Sequence, residues 1–337
     1  MRFGVLLTSI YDASVDPRRQ VREHEELARS AEQLGFDLMV CGQHFLGSEL
    51  RYYQPIPWLT HLAAVAPTMR AATGIVLLSM VNPVEIAEAM ATLDVLTDGR
   101  AVFGVGLGYS PHEFDAFGIE PGTRVARFEE SLRIVRALWS DEQVDIDGQF
   151  HRVRGAKPSV LPLQPGGPPV WVGGQAAAAV RRAARLGDAW YAPPFPTHTE
   201  LAALRRLFVD TRAAAGLPVD GDFPVRRELL IASSRSAGID AALARYRARY
   251  EVYRRWGLSG ENTPIRSAEL QEEIEDRFVL GSPAECVDVL AALESELGMT
   301  DFVFKPHWPG LPHREAMAQL EVFATEVVPK LMGRKPS

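Results

Sequence analysis

A chain of 337 residues, 47% hydrophobic and 23% charged, has ordinary globular composition and enough length for one large core or two small ones. Its net charge of −7, with no Lys/Arg cluster flanked by aromatics, argues against a nucleic-acid surface, which needs a basic patch to replace condensed counterions. Cys41 and Cys286 are far apart without metal-type spacing, and no apolar stretch reaches membrane-spanning length, so the expectation is a reduced, cytoplasmic protein with no membrane partner.

In chain order, residues 3–8 read as a buried strand, and Asp16-Pro17 as an N-cap with proline at the first helical position. That helix runs to Leu34 and closes at Gly35. Residues 36–41 form the second strand, which opens into Gly42-Gln43-His44-Phe45; a helical stretch over 56–69 leads to strand three at 74–79. Asn82-Pro83-Val84-Glu85 combines an N-cap, an N1 proline and a glutamate able to close a capping box, and the helix stops at Asp98-Gly99. Strand four is 101–105, and a long helix follows over about 122–139. Residues 144–153 alternate around Asp147-Gly148, the signal of a type I′ hairpin inserted in an otherwise strict strand–helix alternation.

Strand five, from Val170 to Val172, runs into Gly173-Gly174-Gln175-Ala176 and an alanine-rich helix ended by Gly187. Glycines feeding a helix N-terminus leave free N–H groups and the positive end of the helix dipole facing one spot, which suits a phosphate; a tight turn alone also accounts for them. Strands six, seven and eight are expected at 188–192, 225–232 and 301–305, with a second capping box at Ser282-Pro283-Ala284-Glu285, a stop at Gly298 and a last helix over 313–331. Eight strand–helix repeats without linker-like composition fit a single (β/α)8 barrel over 1–337 with insertions near 106–122, 140–168 and 193–280. A doubly wound sheet would want a glycine fingerprint after strand one, where Ser9-Ile10-Tyr11-Asp12 has none.

The active site of such a barrel lies at the C-terminal strand ends. These ends carry Ser9 and Tyr11, Gln43 and His44, Ser79 and Asn82, Leu107 and Tyr109, the Gly173–Gln175 turn, Trp190 and Tyr191, and Lys305 with His307 and Trp308. The set is rich in aromatics and amides and poor in carboxylates. It offers no acid pair for glycoside hydrolysis, no metal-ligand spacing and no Gly-x-Ser-x-Gly elbow. A cofactor site remains, with an anion cradle, aromatic walls and His44 to handle protons. Arg124 and Arg127, at the start of the long helix, either reach a phosphate or stay solvated beside Glu129 and Glu130.

Several segments together resemble the luciferase-like flavin-dependent monooxygenases: Leu77-Leu78-Ser79-Met80-Val81-Asn82-Pro83, Gly104-Val105-Gly106-Leu107-Gly108-Tyr109-Ser110-Pro111-His112-Glu113-Phe114, Pro169-Val170-Trp171-Val172-Gly173-Gly174 and Trp308-Pro309-Gly310. The resemblance implies a (β/α)8 barrel, commonly a homodimer, that binds reduced FMN or the deazaflavin coenzyme F-420 (F420). It places the cofactor phosphate on Gly173, Gly174, Gln175 and Ala176, with Arg124 as the closer match to a phosphate-binding arginine. Ser79 matches the ring-facing end of strand three, and a non-prolyl cis peptide is implied at about Leu78-Ser79; Tyr109 and Trp190, read from their strand-end positions, are expected as aromatic cofactor-binding residues. His44 matches a strand-two histidine region and is the acid/base candidate, while Gln43, Asn82 and Leu107 depart from the pattern of relatives. The implied activity is oxygenation of a small organic substrate with O2 and reduced FMN from a separate reductase. An F420-dependent hydride transfer and a non-catalytic flavin-binding protein are the alternatives.

Overall fold

The computed structural model describes residues 1–8, 11–47, 50–140, 142–255, 270–307 and 311–333. Ser9 and the Trp308-Pro309-Gly310 segment lie outside the described residues. Among the described residues, no helix is long and apolar enough to cross a membrane.

Eight parallel strands form the centre: β1 (Arg2–Leu6), β2 (Leu38–Cys41), β3 (Arg70–Thr73), β4 (Ala101–Gly106), β5 (Val170–Gly173), β6 (Ala189–Tyr191), β7 (Pro224–Arg226) and β8 (Asp301–Phe304). They pair in the order β6-β5-β4-β3-β2-β1-β8-β7. The Ala192 amide donates to the Pro224 carbonyl at 3.0 Å and the Arg226 amide to the Ala192 carbonyl at 2.9 Å, which joins the last pair of edges. This is the (β/α)8 barrel expected from the sequence, with the helices outside it.

Side chains alternate along each strand. Leu6, Leu38, Val40, Ala72, Val102, Trp171, Ala189, Tyr191 and Val303 fill the lumen, whereas Val5, Met39, Phe103, Val172, Trp190, Phe302 and Phe304 pack outward in the helix-facing core. At the N-terminal end of the barrel Asp301, 1% exposed, accepts Arg2 Nη2 at 2.7 Å and Arg2 Nε at 3.0 Å, and pairs with Arg70 as well. A buried carboxylate is tolerable there because two guanidiniums and the Thr300 hydroxyl, at 2.7 Å, saturate it.

Three elements differ from expectation. Strand three begins earlier, at Arg70, and is interrupted after Thr73; Val76–Leu77 then resumes pairing with β4. The non-prolyl cis bond is Gly74-Ile75 rather than Leu78-Ser79. Glycine is required at that point, since a Cβ on Gly74 would lie 2.2 Å from Val40 Cγ1. The expected seventh strand splits after Arg226: β7 stays in the barrel, and Leu229–Ile231 leaves it to pair with Val279–Gly281. The inserted hairpin exists, but Asp147 pairs with Arg152 across a longer loop than a type I′ turn allows. Its shape comes from the Glu130 carboxylate, which accepts the amides of Gln149, Phe150 and His151 at 2.6, 2.9 and 2.7 Å.

Helix starts and stops fall where the local signals place them, although the expected box at Asn82 reduces to the Asn82 cap alone. Ser282 and Glu285 form the complete capping box, Gly298 closes that helix in the left-handed conformation, and Asn82 accepts from the Val84 amide. The C-terminal helix passes through a π turn at Phe323–Val327 just before Pro329, whose missing N–H breaks the regular ladder.

A Cβ on Gly104 would lie 1.8 Å from the Thr73 carbonyl oxygen, an immovable backbone atom, while one on Gly35, at φ 82°, would touch nothing within 4 Å. Gly104→Ala should therefore cost about 3 kcal/mol or more and Gly35→Ala about 1 kcal/mol. Urea unfolding of the two variants checks this, and equal losses would refute the close approach of β3 and β4.

Candidate active site at the barrel mouth

The turn after β5 is built from both sides. Trp190, fully buried, stacks near Phe223 and donates its indole N–H to the Gly174 carbonyl at 2.7 Å. A trans peptide sets its N–H opposite its carbonyl, so this bond turns the Gln175 amide away from Trp190. Gly174 adopts φ 153°, and a Cβ there would strike Ala179 Cβ at 2.6 Å. The helix Ala177–Leu186 follows with Ala176 as N-cap, no side-chain cap bond and no acidic residue in its first turn. Its first-turn amides have no intrahelical partner, and Ala176, Ala177 and Ala178 are exposed. An uncapped, acid-free, accessible helix N-terminus beside a glycine turn fits a phosphate.

Beside this turn, Ile75 occupies space that glycines vacate. Its Cδ1 lies 2.1 Å from where a Gly106 Cβ would be, and its Cγ2 lies 3.1 Å from the corresponding Gly173 position. Gln43 holds the Ile75 segment: its amide donates to the Ile75 carbonyl at 3.1 Å, and its Oε1 accepts the Leu77 amide at 2.9 Å. Gln43 Nε2 donates to Gln54 Oε1 at 2.9 Å, and Gln54 Nε2 donates to the His44 carbonyl at 3.1 Å. The position where the resemblance departs from its relatives is therefore a strut between strand ends.

His44 emerges from the end of β2, with its ring 5.0 Å from Tyr52 and 5.8 Å from Tyr109, edge to face in both pairs. Its Nδ1 lies 3.2 Å from Glu113 Oε1, and the same oxygen accepts the Phe45 amide at 2.8 Å. A carboxylate only accepts, so Nδ1 carries a proton and directs it at Glu113. The second oxygen, Glu113 Oε2, is buried with no hydrogen-bond partner among the described residues. Glu113 comes from the short helix Pro111–Ala116, anchored by Phe114 against Leu77 and Met80.

Of the residues singled out by sequence, His44, Tyr109 and the Gly173–Ala176 turn stand at the C-terminal mouth. Tyr109 is 64% exposed on its rim. Ser79 is buried, and its hydroxyl donates to the Leu107 carbonyl at 2.5 Å. Trp190 is corrected from an aromatic wall to a support: its position on β6 faces outward, behind the turn. Arg124 is exposed and bonded to the Pro121 carbonyl at 2.8 Å, while Arg127 stacks 4.4 Å from the Phe150 ring. Both arginines are engaged locally. Sequence reasoning missed Glu113, although Ser110-Pro111-His112-Glu113 repeats the spacing of the capping box at Ser282. No side-chain cap bond forms there, and the carboxylate reaches His44 instead. It also missed Arg226 and Glu228, hidden in a run read as one strand.

With the geometry established, comparison with known proteins is informative. A family model described as luciferase-like monooxygenase matches residues 1–301. The chain is 29% identical to 4-hydroxyprotoasukamycin monooxygenase of Streptomyces nodosus subsp. asukaensis, covering 98% of this chain and 92% of that protein. It is 28% identical to the F420-dependent glucose-6-phosphate dehydrogenase of Kineococcus radiotolerans, covering 91% and 92% respectively. The oxygenating constituent of 3,6-diketocamphane monooxygenase from Pseudomonas putida, solved in complex with FMN, superposes with a TM-score of 0.80 at 19% identity over 98% of this chain and 99% of that one. The barrel, its motifs and the match across nearly the whole chain make this protein a member of the luciferase-like monooxygenase family.

Proposed function

We propose that the chain is the oxygenating component of a two-component flavin monooxygenase that takes reduced FMN from a transient reductase partner and acts on a small organic substrate. The carrying observation is the pairing, at one end of the barrel, of an uncapped phosphate-type turn at Gly174–Ala176 with the His44–Glu113 dyad. The backbone N–H groups of Gly174, Gln175 and Ala176 hold the FMN phosphate, and Ile75 backs the ring. Bound there, reduced FMN supplies the electrons that activate O2. Glu113 fixes the tautomer of His44, whose Nε2 takes a proton from the substrate side of the site. Tyr52 and Tyr109 restrict the access of water to that nitrogen. In this reading the whole chain is one cytoplasmic barrel with insertions, assembled as a homodimer.

The same dyad supports a second reading. A histidine base held by a buried carboxylate suits removal of a hydroxyl proton while a hydride leaves carbon, the chemistry of an F420-dependent alcohol or sugar dehydrogenase.

Anaerobic titration with reduced FMN and with reduced F420 separates the two readings. Tighter binding of FMN, followed by substrate-dependent O2 uptake with NADH and a flavin reductase, is the expected result. Preference for F420 would reject the monooxygenase reading, and FMN binding without turnover would leave a carrier. Gly174→Ala should weaken binding of either cofactor roughly tenfold to a hundredfold, the scale of one or two charge-assisted bonds. For Glu113→Gln we expect turnover to drop by about 100-fold, with cofactor affinity kept. Nitrogen-15 spectra should show His44 protonated at Nδ1 in the parent and shifted toward the Nε2 tautomer in Glu113→Ala, where the acceptor opposite Nδ1 is gone. An unchanged tautomer would remove Glu113 from the mechanism.

A further inference from the structure

The upper lumen of the barrel has two unlike halves. Strands β3 to β5 turn Gly74, Gly104, Gly106 and Gly173 toward it, whereas β6 to β8 turn Tyr191 and Arg226 inward, with Glu228 and Lys305 just beyond the strand ends. Arg226 Nη2 donates to Glu228 Oε1 at 3.0 Å. Lys305 is fully buried on the neighbouring strand end.

Tyr191 is 5% exposed, and its ring crosses to the opposite side of the lumen, where a Cβ on Gly74 would lie 3.1 Å from Tyr191 Cε1. It rests above Trp171, at a centroid distance of 5.9 Å. The Tyr191 hydroxyl has no hydrogen-bond partner among the described residues, and neither does the buried Arg226 Nε. Burial pushes the phenol up to about 12, so at neutral pH it is a donor. An unmet buried donor costs about 1–3 kcal/mol, and folded proteins seldom keep two of them on neighbouring strands of one lumen without an acceptor that comes and goes.

We propose that Tyr191 Oη and Arg226 Nε form the anion subsite of the substrate: they donate to an anionic oxygen, a carboxylate or an ionised hydroxyl, and set the carbon skeleton toward the glycine half. The substrate class is thus a small organic acid or acidic enol or phenol rather than a neutral hydrocarbon or a sugar. Naming the occupant as substrate rests on the function proposed above; the subsite itself is a property of the cofactor-free chain.

The test uses cofactor-free protein, with benzoate and its neutral analogue benzamide as probes in calorimetric titration. Benzoate should bind more tightly than benzamide. Tyr191→Phe should weaken benzoate roughly tenfold, with benzamide and reduced FMN unaffected. Because the lost hydroxyl has no partner, the thermal midpoint of Tyr191→Phe should not fall below that of the parent. Arg226→Gln should weaken benzoate by tenfold or more, and Arg226→Lys should recover part of that loss. Equal affinity for the two probes, no benzoate binding at millimolar concentration, or variant effects on reduced FMN instead would each overturn the proposal. So would a destabilised Tyr191→Phe with unchanged benzoate affinity, which would mean that a structural water satisfies the hydroxyl. If benzoate discrimination holds while reduced FMN fails to bind, the cofactor reading falls and the subsite stands.

Discussion

A methyl group on Gly104 would meet the Thr73 carbonyl, one on Gly74 would meet Val40, and one on Gly106 would meet Ile75. This run of bare backbone lets β3 and β4 close up at the mouth and brings Ile75 across to Gly106 and Gly173. The mouth therefore has a floor made of one branched side chain and main chain, flat on one side and close to the strand axis. A side chain at Gly104 would push against main chain and separate β3 from β4, whereas one at Gly74 or Gly106 would displace the Val40 or Ile75 side chain. The mouth of the barrel thus depends on the close approach of β3 and β4, a general property of close-packed interiors.

The groups at the barrel mouth are themselves held by residues placed behind them. Trp190 never reaches the mouth, yet its N–H sets the direction of the Gly174 carbonyl and so of the next amide. Gln43 ties the end of β2 to the Ile75 segment, and Gln54 extends that tie to the His44 carbonyl. Glu113 does for the imidazole what Trp190 does for the turn. In each case a buried polar group spends its hydrogen bonds on fixing a neighbour, and the accessible atom is pre-oriented before any ligand arrives.

The barrel was legible because each strand is an apolar run bounded by punctuation, and because Asp16-Pro17, Asn82-Pro83 and Ser282-Pro283 mark helix starts by local chemistry alone. The Gly173-Gly174 turn was legible for the same reason. What escaped depended on partners far along the chain. The hairpin loop is shaped by Glu130, nineteen to twenty-one residues away, and the bare backbone at the break in strand three is packed against Val40. Glu113 carries a spacing that means capping at Ser282 and something else at Ser110, because His44 and the Phe45 amide compete for its carboxylate. Arg226 and Glu228 were invisible because a charged pair facing a lumen looks, in sequence, like ordinary polar residues at the end of a strand.

The carboxylate of Asp301 has a further consequence for how the barrel is joined. Arg2 and Arg70 lie in the first and third strands, yet the group that neutralises both arrives with the eighth. Asp222 also pairs with Arg2, whereas Asp301 joins Arg2 and Arg70 to each other and so ties β1, β3 and β8 at one end of the barrel. Loss of β8 would therefore remove both the strand that joins β1 to β7 and the carboxylate that bridges the first and third strands.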